Sequence, residues 1–301
     1  MLLRVAITAI ILALLARGID MGASAHAIAA IDLRYLALVL GLVALDRSVM
    51  IWRWILLLRS SGIQITNAAA ARLFLVSSFV GSFLPAGVGA DAARAYGLSR
   101  ETTSGSEALA SVAVDRLLGV MSITVMAMVG VSVWPATRSD PRFIAAILGM
   151  MLICRALLSL DWWLRLIVPQ SLHDAAFVRK LLRLGEALSR YRGRRPVLVS
   201  VMIWSLIVQI LRITQAYFLG VGLGMTVPYS YYLLFMPVGL LMLLLPISIS
   251  GFGAPQGVIV WMLRPMGVPD PQSFALTTLI ILTGLAGNLP GLLLWLREKR
   301  T

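Results

Sequence analysis

The sequence predicts an all-α polytopic membrane protein with about six full transmembrane helices and two re-entrant helical hairpins in an inverted repeat. Three observations carry this. Of 301 residues, 59% are hydrophobic and only 13% charged, with a mean hydropathy of +0.91, whereas soluble domains carry about 25% charge. Apolar residues gather into eight segments, near 2–19, 35–57, 68–85, 108–134, 143–168, 196–222, 229–247 and 273–296, close to the roughly 20 residues a bilayer requires. Basic residues collect between these segments at spacings that eight simple crossings do not satisfy.

The first segment resembles a secretory signal, since MLLR, a short apolar run and Ala23-Ser24-Ala25 imitate a leader and its cleavage site. Arg17, Asp20 and the spans that follow favour a retained first helix instead. The stretch Val178 to Pro196 is densely basic, with Glu186 its single acid, and is assigned to the cytoplasm because cytoplasmic loops concentrate Lys and Arg. The connection bearing Arg53 and Arg59 and the tail Arg297-Glu298-Lys299-Arg300 receive the same assignment. Three segments separate each successive pair of these sites, and three crossings cannot return a chain to the side it left.

Parity therefore asks one segment in each half to enter and leave on the same side. The candidate in the first half breaks at Pro85 and turns through Gly87 and Gly89. The candidate in the second breaks at Pro246 and returns through Gly251, Gly253 and Gly257. Proline lacks an N–H and ends or tilts a helix, while glycine tolerates tight-turn dihedrals. Pro85 and Pro246 stand 161 positions apart (246 against 85), and two hairpins entering from opposite faces form an inverted-topology repeat. The expected organisation is one membrane domain over 1–301, with a first half near 35–134, a second near 196–296 and a basic connector near 169–195. The bland alternative is a pair of ordinary helical pairs kinked by proline.

Such breaks are tolerated at membrane depth only beside protein or a water-filled cavity. Charges within the apolar runs point to the same place: Asp46 and Arg47, Asp115 and Arg116, and Arg212. Each costs about 2.5–3.5 kcal/mol at the bilayer centre on the lenient scale and needs a partner or water. Adjacent helix positions point about 100° apart, so partners for Asp46, Arg47, Asp115 and Arg116 are expected on other helices. Arg155, Asp161 and Arg165 beside Trp162 and Trp163 read as an interfacial set anchored by aromatic rings. In the connector, Phe177, Val178, Leu181, Leu182, Leu184 and Leu188 share an apolar helical face among Arg179, Lys180, Arg183 and Arg190. It reads either as a helix lying on anionic headgroups or as a solvated loop that enforces orientation.

Other chemistries are disfavoured. The single Cys154 has no partner for a disulfide, and His26 with His173 make no metal cluster. The net charge of +13 sits at the ends of apolar runs, which reports topology rather than nucleic-acid binding. No P-loop and no catalytic constellation is visible, so neither cofactor nor enzymatic activity is expected.

The stretches WRWILLLRSSGI, FLPAGVGADAARAYGLSR, VAVDRLLGV and LPISISGFGAPQGV together resemble the lysylphosphatidylglycerol synthase transmembrane-region family, the flippase-like membrane proteins of bacteria and archaea. The resemblance covers nearly the whole chain. It rests on Pro85, Gly87, Gly89, Asp91 and Arg94, and on the run Asp115 to Gly119. Two departures stand out. Ala90 replaces a glycine, and Pro255 with Gln256 replace an arginine–glutamate pair, which puts charged gating at the second hairpin in doubt. The resemblance implies transfer of a lipid headgroup between leaflets. The aminoacyl-transferase domain of some members is not in the sequence, so synthesis of lysylphosphatidylglycerol is not expected.

The expectation that follows is a flippase-like transporter of an anionic phospholipid or lipid-linked headgroup. Arg47, Asp91, Arg94, Asp115, Arg116, Arg212 and Gln256 would line its cavity, in a bacterial inner membrane with both termini cytoplasmic. Membrane lipids are the expected partners. The alternative is a non-catalytic scaffold for a separate lipid-modifying enzyme or glycosyltransferase.

Overall fold

The computed structural model describes residues 19–83, 88–101, 105–138, 141–159, 162, 166, 176–242 and 253–298. All regular structure among them is helical, as an all-α polytopic membrane protein requires: in hydrocarbon a helix satisfies its own backbone polar groups. The expected breaks at Pro85, Gly87, Pro246 and Gly251, residues 2–18 of the first apolar segment, and Asp161, Trp163, Arg165 and His173 lie outside the described residues.

The order is α1 (Met21–Ala29), α2 (Leu33–Ser60), α3 (Asn67–Ser82), α4 (Val88–Glu101), α5 (Gly105–Val133), the single turn α6 (Pro135–Arg138) and α7 (Pro141–Leu158). There follow α8 (Ala176–Arg192), α9 (Arg195–Gly222), α10 (Tyr229–Met242), α11 (Ala254–Leu263), α12 (Asp270–Ala286) and α13 (Leu289–Glu298). Local chemistry starts the early helices: Asp20, Asp32 and Thr66 each accept a hydrogen bond from a first-turn N–H of α1, α2 and α3, satisfying donors the helix leaves open. Proline opens α9, α11 and α12, where its missing N–H costs nothing. Gly62 and Gly224 stand just past α2 and α9 with φ of +82° and +74°, left-handed positions that favour glycine.

Among the described residues, four stretches are long and apolar enough to cross a membrane: Leu33–Ser60, Gly105–Val133, Arg195–Gly222 and Asp270–Arg297. Large apolar side chains such as Leu33, Leu152, Val199, Ile203, Trp261 and Leu293 are exposed on the outside, the inversion that a lipid solvent selects. The last apolar segment, expected as one helix over 273–296, bends: α12 ends at Ala286 and α13 begins at Leu289. The intervening Gly287 packs so closely on Val43 that a Cβ would lie 2.4 Å from its Cγ1.

In the packing, α2 lies along α9, α3 on α4 and α13, α5 on α10 and α7, and α1 on α12. The arms α3 and α4 run antiparallel: a Cβ on Gly81 would meet Ala90, and one on Gly97 would meet Leu73. Their 16 and 14 residues rise about 24 and 21 Å, short of a ~30 Å hydrocarbon core. Two glycines mark close backbone approaches between helices. A Cβ on Gly130 of α5 would sit 2.2 Å from the Leu233 carbonyl oxygen of α10, and one on Gly291 of α13 would sit 2.1 Å from that of Leu75 of α3. Small residues at such crossings let backbones approach where no hydrophobic force joins helices.

The largest core cluster joins Val39, Ile213, Leu219, Tyr232, Phe235 and Leu276; a second groups Trp54, Phe74, Leu98 and Ala108. The connector is the helix α8, and its apolar face is partly consumed by the protein. Ala187, Leu188 and Tyr191 pack on Leu57, Val114, Leu118 and Val201. Arg179 and Arg183 remain exposed.

Candidate functional site

Between α2, α4, α5, α9 and α12 lies a cavity of about 420 Å³. Its charged lining forms two networks. In the first, Asp115 of α5 is held between two cations: its Oδ1 is 2.9 Å from Arg53 Nε, and its Oδ2 accepts from Arg94 Nη1 at 3.2 Å. Arg53 also donates to Ser205 Oγ of α9 at 2.9 Å. The Arg94 guanidinium lies over the rings of Phe74 and Trp54, 4.2 and 5.3 Å from their centroids, so the quadrupoles of two aromatic faces add to the attraction. Asp91 extends the chain at longer range, 3.7 Å from both Arg94 and Arg116. Arg53, Arg94 and Asp115 are almost wholly buried, whereas Arg116 is open to the cavity mouth at 41% exposure.

The second network centres on Asp46 of α2, which is buried. Its two oxygens lie 3.2 Å from Arg47 Nη1 and 3.3 Å from Arg212 Nε of α9. Arg47 also donates to the Gly284 carbonyl at 3.1 Å. Both guanidinium groups reach the Met50 thioether, Arg212 at 3.1 Å and Arg47 at 3.5 Å. A thioether is a weak acceptor, so two strong donors converge on a poorly matched partner.

The structure brings Arg47, Asp91, Arg94, Asp115, Arg116 and Arg212 to one cavity, although they come from four helices. Gln256 lines it too, but its side chain is committed elsewhere: Oε1 accepts from the Gly253 N–H at 3.3 Å, and Nε2 faces Thr277 and Thr278 Oγ1 at 3.5 and 3.3 Å. At the third position of α11 it caps the helix rather than reaching into the space. Gly253, with φ of +100°, is the residue before that helix. Gly89 lies inside the first turn of α4 and not at a turn between helices.

Two sequence expectations are corrected here. Arg53, assigned to a cytoplasmic connection, is buried two turns inside α2 and pairs with Asp115. Asp46 and Arg47, expected to look only to other helices, also contact each other, because the long arginine stem curls back across the angle between neighbouring positions. Arg155, expected in an interfacial set beside Trp162, is exposed in the last turn of α7, and Trp162 is exposed as well. The polar groups that the sequence did not single out are Gln209, which donates to Ser122 Oγ at 3.1 Å, and Asn288, which donates to Ser82 Oγ at 2.8 Å. Both line the cavity and keep a buried carbonyl oxygen without a hydrogen bond among the described residues.

An apolar helical exterior around a charged, partly open cavity defines a polytopic membrane protein with a polar interior. The chain belongs to the family described as lysylphosphatidylglycerol synthase TM region, whose model matches residues 1–291. Membership ties it to the membrane and to membrane-lipid function. No curated protein matches the chain.

Proposed function

We propose that this protein is a non-catalytic transporter that passes the anionic headgroup of a membrane lipid between leaflets while the acyl chains stay in the bilayer. The observation that carries this is the charge of the cavity: among the described residues, five arginines against three aspartates line it, inside a chain whose exterior is apolar. Guanidinium forks suit phosphate because they donate paired, charge-assisted hydrogen bonds. Membrane lipids are the partners in this reading, and a bacterial inner membrane with cytoplasmic termini the setting.

Movement requires an architecture that can expose the cavity to either side, and we infer an inverted repeat with two re-entrant hairpins, α3–α4 and α10–α11. Several features support it. The helices α2 and α9 are both 28 residues long and start 162 positions apart (195 against 33). The left-handed glycines that follow them keep that spacing (224 against 62). Gly130 and Gly291 stand 161 apart and make the two backbone contacts in reciprocal fashion, each half's last helix on the other half's first hairpin arm. Repeats related in this way can rock against each other around a fixed site.

Two measurements test these readings. Purified protein in liposomes should carry labelled anionic phospholipid between leaflets and leave a zwitterionic lipid far behind; a preparation that moves neither is the scaffold instead. For topology, single cysteines at positions 99 and 106, in a Cys154→Ser background, should react with an impermeant reagent only from the cytoplasmic side. Strong labelling of both from the opposite side would sink the first hairpin.

A further inference from the structure

We infer that the cavity takes a phosphate carrying two or more negative charges, a phosphomonoester or diphosphate, in preference to the singly charged phosphodiester of ordinary phospholipids. This rests on the reading of the cavity as a headgroup site. The argument is a charge count. The first network holds Arg53, Arg94 and Arg116 against Asp91 and Asp115, leaving one cation in excess. The second holds Arg47 and Arg212 against Asp46, leaving another. The remaining described acids with ion pairs point elsewhere, Glu107 to Arg190, Glu101 to Arg72 and Asp270 to Arg264. The undescribed stretches that flank the hairpin arms, 84–87 and 243–252, contain no ionisable residue in the sequence.

Each network carries one cation more than its carboxylates neutralise, and a ligand that neutralises one excess charge leaves the other uncompensated. A phosphodiester offers one charge. A phosphomonoester offers nearly two at neutral pH, because its second pKa is about 6, and a diphosphate offers at least as many. Both networks line the same cavity, so one group bound in it can meet guanidiniums of both through paired, charge-assisted hydrogen bonds. The second network is also primed to exchange partners. Arg47 and Arg212 converge on the Met50 sulfur, which a phosphate oxygen would replace as a far stronger acceptor.

The test is equilibrium binding to the intact protein in neutral detergent at pH about 7.5 and fixed ionic strength, with no transport required. Phosphatidic acid is expected to bind about tenfold more tightly than phosphatidylglycerol, one further charge-assisted contact being worth at least that factor. Inorganic pyrophosphate should displace it more effectively than inorganic phosphate. Arg212→Gln, which removes one excess cation, should abolish the preference between the two lipids, while Arg212→Lys, which keeps the charge, should retain it at lower affinity. Equal affinity for the two lipids, or a preference that survives Arg212→Gln, overturns the inference. So does failure of pyrophosphate to compete, since the lipid would then be held on the outer surface. Tighter binding of pyrophosphate than of phosphatidic acid would support the doubly charged site but assign it to a soluble anion, and the lipid-transport reading would fall. Lipid movement in liposomes without the monoester preference would leave transport standing and remove this inference alone.

Discussion

Asp115→Asn is expected to be the most destabilising single substitution in the cavity, with a cost of about 3–5 kcal/mol and a sharp fall in thermal midpoint and in yield of monodisperse protein. Among the described residues Asp115 is the only carboxylate in contact with Arg53, and it shares Arg94 with the more distant Asp91. Both arginines are almost fully buried, so an amide in its place strands two guanidinium groups where neither water nor lipid solvates them. Replacement of the cluster as a whole behaves differently. An Arg53→Met, Arg94→Met, Asp115→Leu triple variant should recover much of the lost stability, since swapping a buried ion network for apolar residues of similar volume is often neutral or better. Thermal unfolding of the three proteins in one detergent decides the matter. A single mutant as stable as the parent would show that Asp115 is not holding the arginines.

Arg47→Gln combined with Arg212→Gln and Asp46→Asn should reduce transport of anionic lipid at least about a hundredfold while leaving the fold intact. The expectation follows from two lost charge-assisted contacts, each about 1.5–3 kcal/mol. Asp46 is buried between the two arginines, and neutralising it together with them avoids an unpaired buried charge. Compared at matched folded protein with zwitterionic lipid alongside, an equal loss for both lipid classes would make the pair structural rather than a headgroup site.

Much of the site's membership was legible because charge in an apolar run has few excuses. Arg47, Asp115 and Arg212 stand out for the cost of leaving them in hydrocarbon, and the structure brings all three to the same cavity. Arg53 escaped for the converse reason. It lies near a helix end with Arg59 six residues beyond, and position along the chain does not reveal that α5 and α9 cover it with Asp115 and Ser205. Gln256, expected in the cavity lining, does line it. What the sequence did not show is that its side chain caps α11 and meets Thr277 and Thr278, partners that are adjacent only after α11 folds against α12.

The sequence by itself determined the solvent of this protein and the material of its elements. An interior-like composition spread over long apolar runs leaves helices in lipid as the stable outcome, and the half-chain spacing of proline and glycine is written in the chain. Tertiary structure alone decided which charge meets which. Asp46 takes Arg47 from its own helix and Arg212 from α9, while Asp115 takes Arg53 from α2 and Arg94 from α4. The physical reason is that ion pairing acts over about 3–4 Å, whereas periodicity fixes only a residue's face on its own helix. The register and rotation that turn faces into contacts come from close approaches such as Gly130 on Leu233 and Gly291 on Leu75, set by packing between helices distant in the chain.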